Sequence, residues 1–249
     1  MELDLGGTVA LVTGAARGIG AAIARTLAAE GCDVALLDVR RGEEIAAVAA
    51  DVESAGRRAL VLEADVRDLA RAEAMVSETR ARLGRLDVLV CAAGITRDAM
   101  SWKMEGDAWD EVLAVNLTGC FAYARAAAPV LRAQRAGRMV FVASINGLRG
   151  KAGQANYAAS KAGVIALAKT LARELGPAGI NVNAVAPGLV ETPMTRDLPA
   201  EALERAVGES ALGRIGAAED VADTVAFLCS RRARHITGGV IRIDGGQYM

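Results

Sequence analysis

The chain has 249 residues, and its 29 Lys and Arg against 30 Asp and Glu leave a formal charge of -1. That length allows one or two domains, and no linker-like stretch divides it, so one domain over residues 1–249 is expected. The basic residues are scattered and form no arm or stripe, which argues against a nucleic-acid binder. An early acid and the lack of a long apolar run near the start resemble neither a signal nor a transit peptide, and no charge-free run of eighteen apolar residues occurs. The expectation is a soluble, cytoplasmic protein with no membrane partner.

Short β-branched runs at 8–12, 33–38, 58–63, 88–91, 138–143, 181–186 and 240–244 predict seven strands. They alternate with Ala-rich helical patterns at 19–29, 43–55, 69–83, 107–134, 157–175 and 218–230. Such alternation marks repeated βαβ units. The expected fold is α/β: a Rossmann-type, doubly wound parallel sheet of about seven strands with helices on both faces. Gly31, Gly56, Gly84 and Gly176 stand where helix C-caps belong. Residues 189–213 break the rhythm with Pro193 and Pro199, while Leu198, Leu203 and Val207 are spaced like a short amphipathic helix, as in a substrate lid.

The first strand runs into Thr13-Gly14-Ala-Ala-Arg17-Gly18-Ile19-Gly20 and then a helix. Glycines there allow a tight turn and close approach of a pyrophosphate, and the helix start supplies amide donors. Asp38 ends the second predicted strand, twenty-four residues past Gly14, where a carboxylate would accept hydrogen bonds from the adenosine ribose hydroxyls. It would also repel a 2′-phosphate, which favours NAD, although Arg17, Arg40 and Arg41 could attract that phosphate and keep NADP open.

Tyr157-Ala-Ala-Ser-Lys161 places a phenol and an ammonium one helical turn apart, with Ser144 thirteen residues upstream. A free phenol ionises near pH 10, at about that value, and a nearby cation favours the phenolate, so Tyr157 is a candidate general acid/base. Cys32, Cys91, Cys120 and Cys229 lie far apart, and the single histidine, His235, has no ligand companion, so no metal site or disulfide framework is expected.

Together these residues resemble the short-chain dehydrogenases/reductases, and most closely the 3-oxoacyl-[acyl-carrier-protein] reductase branch. The likeness spans Thr13 to Gly20, Asp65-Val66, Val115-Asn116-Leu117, Ser144, Tyr157, Lys161, Pro187-Gly188, Ile236-Thr-Gly238 and Asp244-Gly-Gly246. The stretches Gly94-Ile-Thr-Arg-Asp98 and Gly153-Gln-Ala-Asn-Tyr157 look like that branch in particular. The resemblance implies that Tyr157 exchanges a proton with the carbonyl or alcohol oxygen and that Ser144 orients that oxygen. Lys161 would hold the nicotinamide ribose and favour the phenolate, and Asn116 would anchor a water that links Lys161 to solvent. Gly14, Arg17, Ile19 and Gly20 would line the phosphates, Asp38 the ribose, Asp65 and Val66 the adenine. Pro187, Gly188, Val190 and Thr192 would flank the nicotinamide, and Ala93 and Gly94 would offer backbone contacts. Hydride chemistry belongs to the cofactor.

Two departures from the family pattern stand out. Cys91-Ala92-Ala93-Gly94 replaces a turn that usually carries an asparagine side chain tying the central sheet. Ala178 stands where the carrier-protein reductases tend to have a basic residue, leaving Arg135 as the other half of a patch for an acyl carrier protein. The implied activity is reduction of a 3-oxoacyl thioester by a homotetramer. The alternatives are an NAD-dependent dehydrogenase of a free secondary alcohol, polyol or cyclic ketone, and a non-catalytic dinucleotide-binding scaffold. The lid and the neighbourhood of Trp102 are expected to shape the substrate pocket.

Overall fold

A computed structural model describes residues 3–196 and 199–249. Seven strands form one parallel sheet: β1 (Val9–Thr13), β2 (Asp33–Asp38), β3 (Ala59–Glu63), β4 (Val88–Cys91), β5 (Gly137–Val142), β6 (Ile180–Pro187) and β7 (Val240–Ile243). Their order across the sheet is β3-β2-β1-β4-β5-β6-β7. The helices are α1 (Gly18–Ala29), α2 (Glu43–Ser54), α3 (Leu69–Leu83), α4 (Gly106–Leu113), α5 (Gly119–Gln134), α6 (Asn146–Arg149), α7 (Ala155–Leu175), α8 (Pro193–Arg196), α9 (Ala200–Glu209) and α10 (Ala218–Cys229).

A parallel sheet is covered on both faces, so its central strands are apolar throughout. Alternate residues then serve opposite cores. Val9 and Leu11 of β1 pack with α3, α5 and α7, whereas Ala10 and Val12 pack with α1, α2 and α10. The same alternation sends Met139 and Phe141 of β5 to the first core and Val140 and Val142 to the second. None of the described helices is long and apolar enough to cross a membrane.

Two expectations are corrected. The predicted helix over 107–134 is interrupted by a π-helical turn, Ala114–Thr118, between α4 and α5. Such turns insert one extra residue, and periodicity alone does not reveal them. Gly31, Gly56 and Gly84 do adopt left-handed backbone after their helices, but Gly176 keeps φ -53 and opens a 3₁₀ turn; the left-handed residue is Gly179, at φ 79.

All four cysteines are free and buried. Burial pushes the Cys32 thiol up to about 11 and raises Cys229 further, while the contact with Cys120 and burial raise Cys91. Thiols so raised behave as small apolar side chains.

Asp33 clips the edge of the sheet: its carboxylate accepts from the Arg58 backbone N–H at 2.8 Å and from Arg58 Nε at 2.7 Å, and Arg58 Nη2 continues to the Leu83 carbonyl at 2.8 Å. Burial alone would raise the Asp33 carboxyl, but the Arg58 hydrogen bonds and charge outweigh it and hold it below its ordinary range. A carboxyl depressed in the folded state stabilises the fold above its unfolded pKa of about 3.9, and that contribution is lost as pH falls through the folded value. Stability measured by denaturant titration should therefore decline below about pH 4, and Asp33→Asn should make that decline shallower while lowering stability at neutral pH. An unchanged acid slope would show that Arg58 does not hold Asp33 in solution.

Candidate active site

The carboxyl ends of the strands open on a cleft of about 600 Å³. Of the residues expected in the site, Gly14, Arg17, Ile19, Gly20, Asp38, Asp65, Val66, Ala93, Gly94, Ser144, Tyr157, Lys161, Pro187, Gly188, Val190 and Thr192 all line it. Asn116 alone lies behind the wall, fully buried.

At one end, the β1–α1 turn is held so tightly that side chains do not fit. Gly14 has φ +68, and a Cβ there would lie 2.7 Å from the Ala93 backbone; a Cβ on Gly20 would lie 2.0 Å from the Gly14 carbonyl oxygen. The twelve-residue helix α1 starts with no side-chain cap and no acid in its first turn, which leaves its amide donors and positive dipole end facing the cleft. These features suit the pyrophosphate of a dinucleotide.

Asp38 closes this end from the tip of β2. Its carboxylate accepts from Ala16 N at 3.0 Å and Val39 N at 2.8 Å, so it also braces the glycine turn. Arg41 points away from the cleft, donating to the Val61 carbonyl at 3.3 Å and pairing with Glu63 at 3.9 Å, and Arg40 is exposed outside the lining. Arg17 remains the basic residue beside the phosphate turn. Asp65 is already engaged: Arg67 reaches its two oxygens through Nε and Nη2 at 2.6 to 3.0 Å, and with this hydrogen bonding first among the causes holds the carboxyl below its ordinary range. Arg67 also lines the cleft and was not among the residues expected there.

The missing asparagine of the β4 turn has a replacement. Thr13 Oγ1 accepts from Ala92 N at 3.2 Å and Ala93 N at 3.3 Å, tying β1 to this turn, while Cys91 sits in the core.

At the chemical end, α7 presents Tyr157 and Lys161. Lys161 is 3% exposed; its Nζ donates to the Val142 carbonyl at 2.8 Å and lies 5.6 Å from the centre of the Tyr157 ring. An ammonium has three N–H donors, so two remain for a ligand. Among the described residues the Tyr157 hydroxyl has no hydrogen-bond partner. Ser144 Oγ accepts from Asn146 N at 3.1 Å, which leaves the serine proton free to donate into the cleft.

Asn116, in the π-helical turn, pairs with the backbone of Ile95: Oδ1 accepts from Ile95 N at 2.8 Å and Nδ2 donates to Ile95 O at 3.0 Å. Its second N–H goes to Ser160 Oγ at 3.1 Å, beside Lys161. Both amide protons are thus used within the protein. A water relay through Asn116 would have to meet its oxygen or the Ile95 carbonyl.

The lid departs from its expected stripe. Leu198 lies outside the described residues, Leu203 is 40% exposed, and α9 faces the cleft with Ala202, Arg205, Ala206 and Glu209. Gln247, unsuspected from sequence, fastens it: Oε1 accepts from Leu189 N at 2.8 Å and Nε2 donates to Ala206 O at 3.0 Å. Gln154, part of the 153–157 stretch but with no role expected of it, bridges Asn146 Nδ2 at 3.0 Å to Asp98 Oδ2 at 2.8 Å. Each joins segments remote in sequence, where no local pattern marks it. Trp102 is 73% exposed and not part of the lining, and exposed His235 also lies elsewhere.

If the glycine turn is as tight in solution, Gly20→Ala should weaken NADH binding by at least about tenfold and lower the melting temperature, because overpacking costs about 1–3 kcal/mol. Calorimetric titration giving unaltered affinity would refute the tightness.

Residues 14–247 match the family profile described as enoyl-(acyl carrier protein) reductase. The chain is 45% identical over 240 residues to the 3-oxoacyl-[acyl-carrier-protein] reductase FabG of Staphylococcus aureus strain N315, covering 96% of this chain and 98% of that protein. It is 41% identical over 247 residues to its namesake from Escherichia coli strain K12, covering 99% and 100%. It also superposes with a TM-score of 0.95 and 36% identity on a crystal structure from Sinorhizobium meliloti 1021, described as a candidate short-chain alcohol dehydrogenase, covering 99% and 98%. The parallel sheet, the glycine turn and the Ser144, Tyr157 and Lys161 cluster agree with these likenesses over the whole cleft, and the chain belongs to the short-chain dehydrogenase/reductase family.

Proposed function

We propose that the chain is an NAD-dependent reductase of 3-oxoacyl thioesters, acting as one domain with residues 189–213 as its lid. The observation that carries this reading is the convergence of Ser144, Tyr157 and Lys161 on one cleft with the uncapped start of α1 and Asp38. The reductases from S. aureus and E. coli supply the substrate class. Two O–H donors lining one cleft suit a carbonyl oxygen better than a carbon–carbon double bond, which favours those relatives over the enoyl description of the family profile.

NADH held by the glycine turn and Asp38 would supply the hydride that the carbonyl carbon takes up. Tyr157 then delivers its proton to the carbonyl oxygen, so ketone, hydride and proton sum to the secondary alcohol. Ser144, its lone pair occupied by Asn146 N–H, donates to the same oxygen and fixes its position. Lys161 would hold the nicotinamide ribose with its two remaining N–H donors, and its positive charge lies 5.6 Å from the centre of the Tyr157 ring. Asn116 positions the 95 region and Ser160 through the three hydrogen bonds of its amide. In the reverse direction Tyr157 accepts the alcohol proton.

The cofactor preference rests on Asp38, whose carboxylate meets a ribose diol favourably and a 2′-phosphate unfavourably, and on Arg41 turning to Glu63. A homotetramer is part of the reading, supported by Trp109 and Phe121, 40% and 44% exposed on α4 and α5. A free secondary alcohol is the second reading, favoured by Ala178: only Arg135, whose Nη2 donates to Pro177 O at 3.3 Å, stands for the basic patch.

Acetoacetyl thioesters assayed with NADH and NADPH test the function. Turnover with NADH is expected, and Tyr157→Phe should lower kcat by about 10²- to 10⁴-fold with NADH binding retained. Saturable cofactor binding without thioester turnover, or a strong preference for a free alcohol, would reject the thioester reading. Asp38→Asn should raise the NADPH-to-NADH ratio of kcat/KM by about tenfold, the loss of a charged hydrogen bond being about 1.5–3 kcal/mol. An unmoved ratio would remove Asp38 as its determinant.

A further inference from the structure

The substrate side of the cleft lies between two walls, the 150–154 loop that follows α6 and the lid helix α9. An ion pair joins them, Arg149 Nη2 to Glu209 Oε2 at 3.0 Å, and Arg149 is held further by Gln247 O at 3.2 Å and Asn146 Oδ1 at 3.3 Å. This pair is neutral as a unit. Lys151 follows Arg149 by two residues, and Arg205 precedes Glu209 by four, on the same face of α9.

Both Lys151 and Arg205 line the cleft and are exposed, and among the described residues neither side chain has a hydrogen-bond or ion-pair partner. Of the other acids lining this side, Glu111 pairs with Arg97 at 2.9 Å and Asp98 accepts from the Gln154 amide at 2.8 Å. Two cations therefore face the opening without an ion-pair partner among the described residues.

We propose that Lys151 and Arg205 form a subsite for a phosphoryl group carried on the tail of the substrate. The proposal rests on the thioester reading. Ser144 and Lys161 are nearly buried, whereas these two cations stand at the exposed rim, so they meet the part of the substrate that leaves the cleft. In an acyl thioester that part is the pantetheine arm, which ends in a phosphate. A guanidinium fork and an exposed ammonium on the two walls suit such a multi-oxygen anion. The arm would also bridge loop and lid beside the Arg149–Glu209 pair.

The test compares acetoacetyl-pantetheine, which lacks the phosphate, with acetoacetyl-coenzyme A and an acetoacetyl-loaded acyl carrier protein. Readouts are kcat/KM in wild type, Lys151→Ala, Arg205→Ala and the double variant. The ratio of phosphorylated to unphosphorylated thioester should fall about fivefold per single variant and about twenty-fivefold in the double, chiefly through KM. Lys151→Arg should restore most of the ratio. An unchanged ratio overturns the subsite, as does a loss confined to coenzyme A, which would assign the cations to its nucleotide phosphates. NADH-dependent turnover of the pantetheine thioester reads the underlying activity separately. If it is absent in wild type while free alcohols are oxidised, the thioester reading has failed, and with it the arm.

Discussion

The strand order reverses at β1, with β2 on one side and β4 on the other, and everything functional depends on that reversal. The connections from neighbouring strands leave to opposite faces, so no helix covers the crevice between their carboxyl ends. The crevice brings together the glycine turn after β1, Asp38 after β2 and the Ala93-Gly94 turn after β4 without any of them being near in sequence. Thr13 holds it at the right width: its hydroxyl takes two amides of the facing turn, and Gly14 lets that turn approach as close as a side chain would prevent.

Lys161 applies the same constraint to the chemical end. A buried ammonium needs partners, and the Val142 carbonyl supplies one from the end of β5. That bond fixes the roll of α7 about its axis, so Tyr157, one turn earlier, faces the cleft and not the core. Ser144 follows β5 directly, which means a single strand end sets the positions of both the lysine anchor and the serine.

The repeating elements were legible in the sequence because their physics is local. Strand runs such as 33–38 and 88–91 coincide with β2 and β4, since residues buried on two faces must be apolar. The Tyr157 and Lys161 pair was legible from helical spacing, and Asp38 from its place at a strand end. Gln154 and Gln247 were not, because each owes its place to a partner that only folding brings near; Arg67 pairs with Asp65 two residues away in a loop, where no helical or strand spacing marks the pair. The lid shows the limit well: apolar spacing pointed to Leu203 as the packed residue, yet α9 turns Ala202 and Ala206 inward, where a pocket needs room. Cys91 was read as a loss, and the hydroxyl that compensates belongs to Thr13, seventy-eight residues earlier.

The π-helical turn at 114–118 carries a consequence for rotational phase. One surplus residue turns everything beyond it by about 100° relative to an uninterrupted helix. Without it, α4 and α5 would share a single stripe and could serve only one set of neighbours. With it, α4 lies chiefly against α7 while α5 lies chiefly against α3, with β4, β5 and α7 beside it, and the Asn116 amide bonds to Ile95. Deleting one residue other than Asn116 from this turn would make a more regular helix and a misdirected asparagine. The irregularity acts as a gear between two packing surfaces, and an insertion or deletion here would disturb the site far more than the same change in the loops on either side.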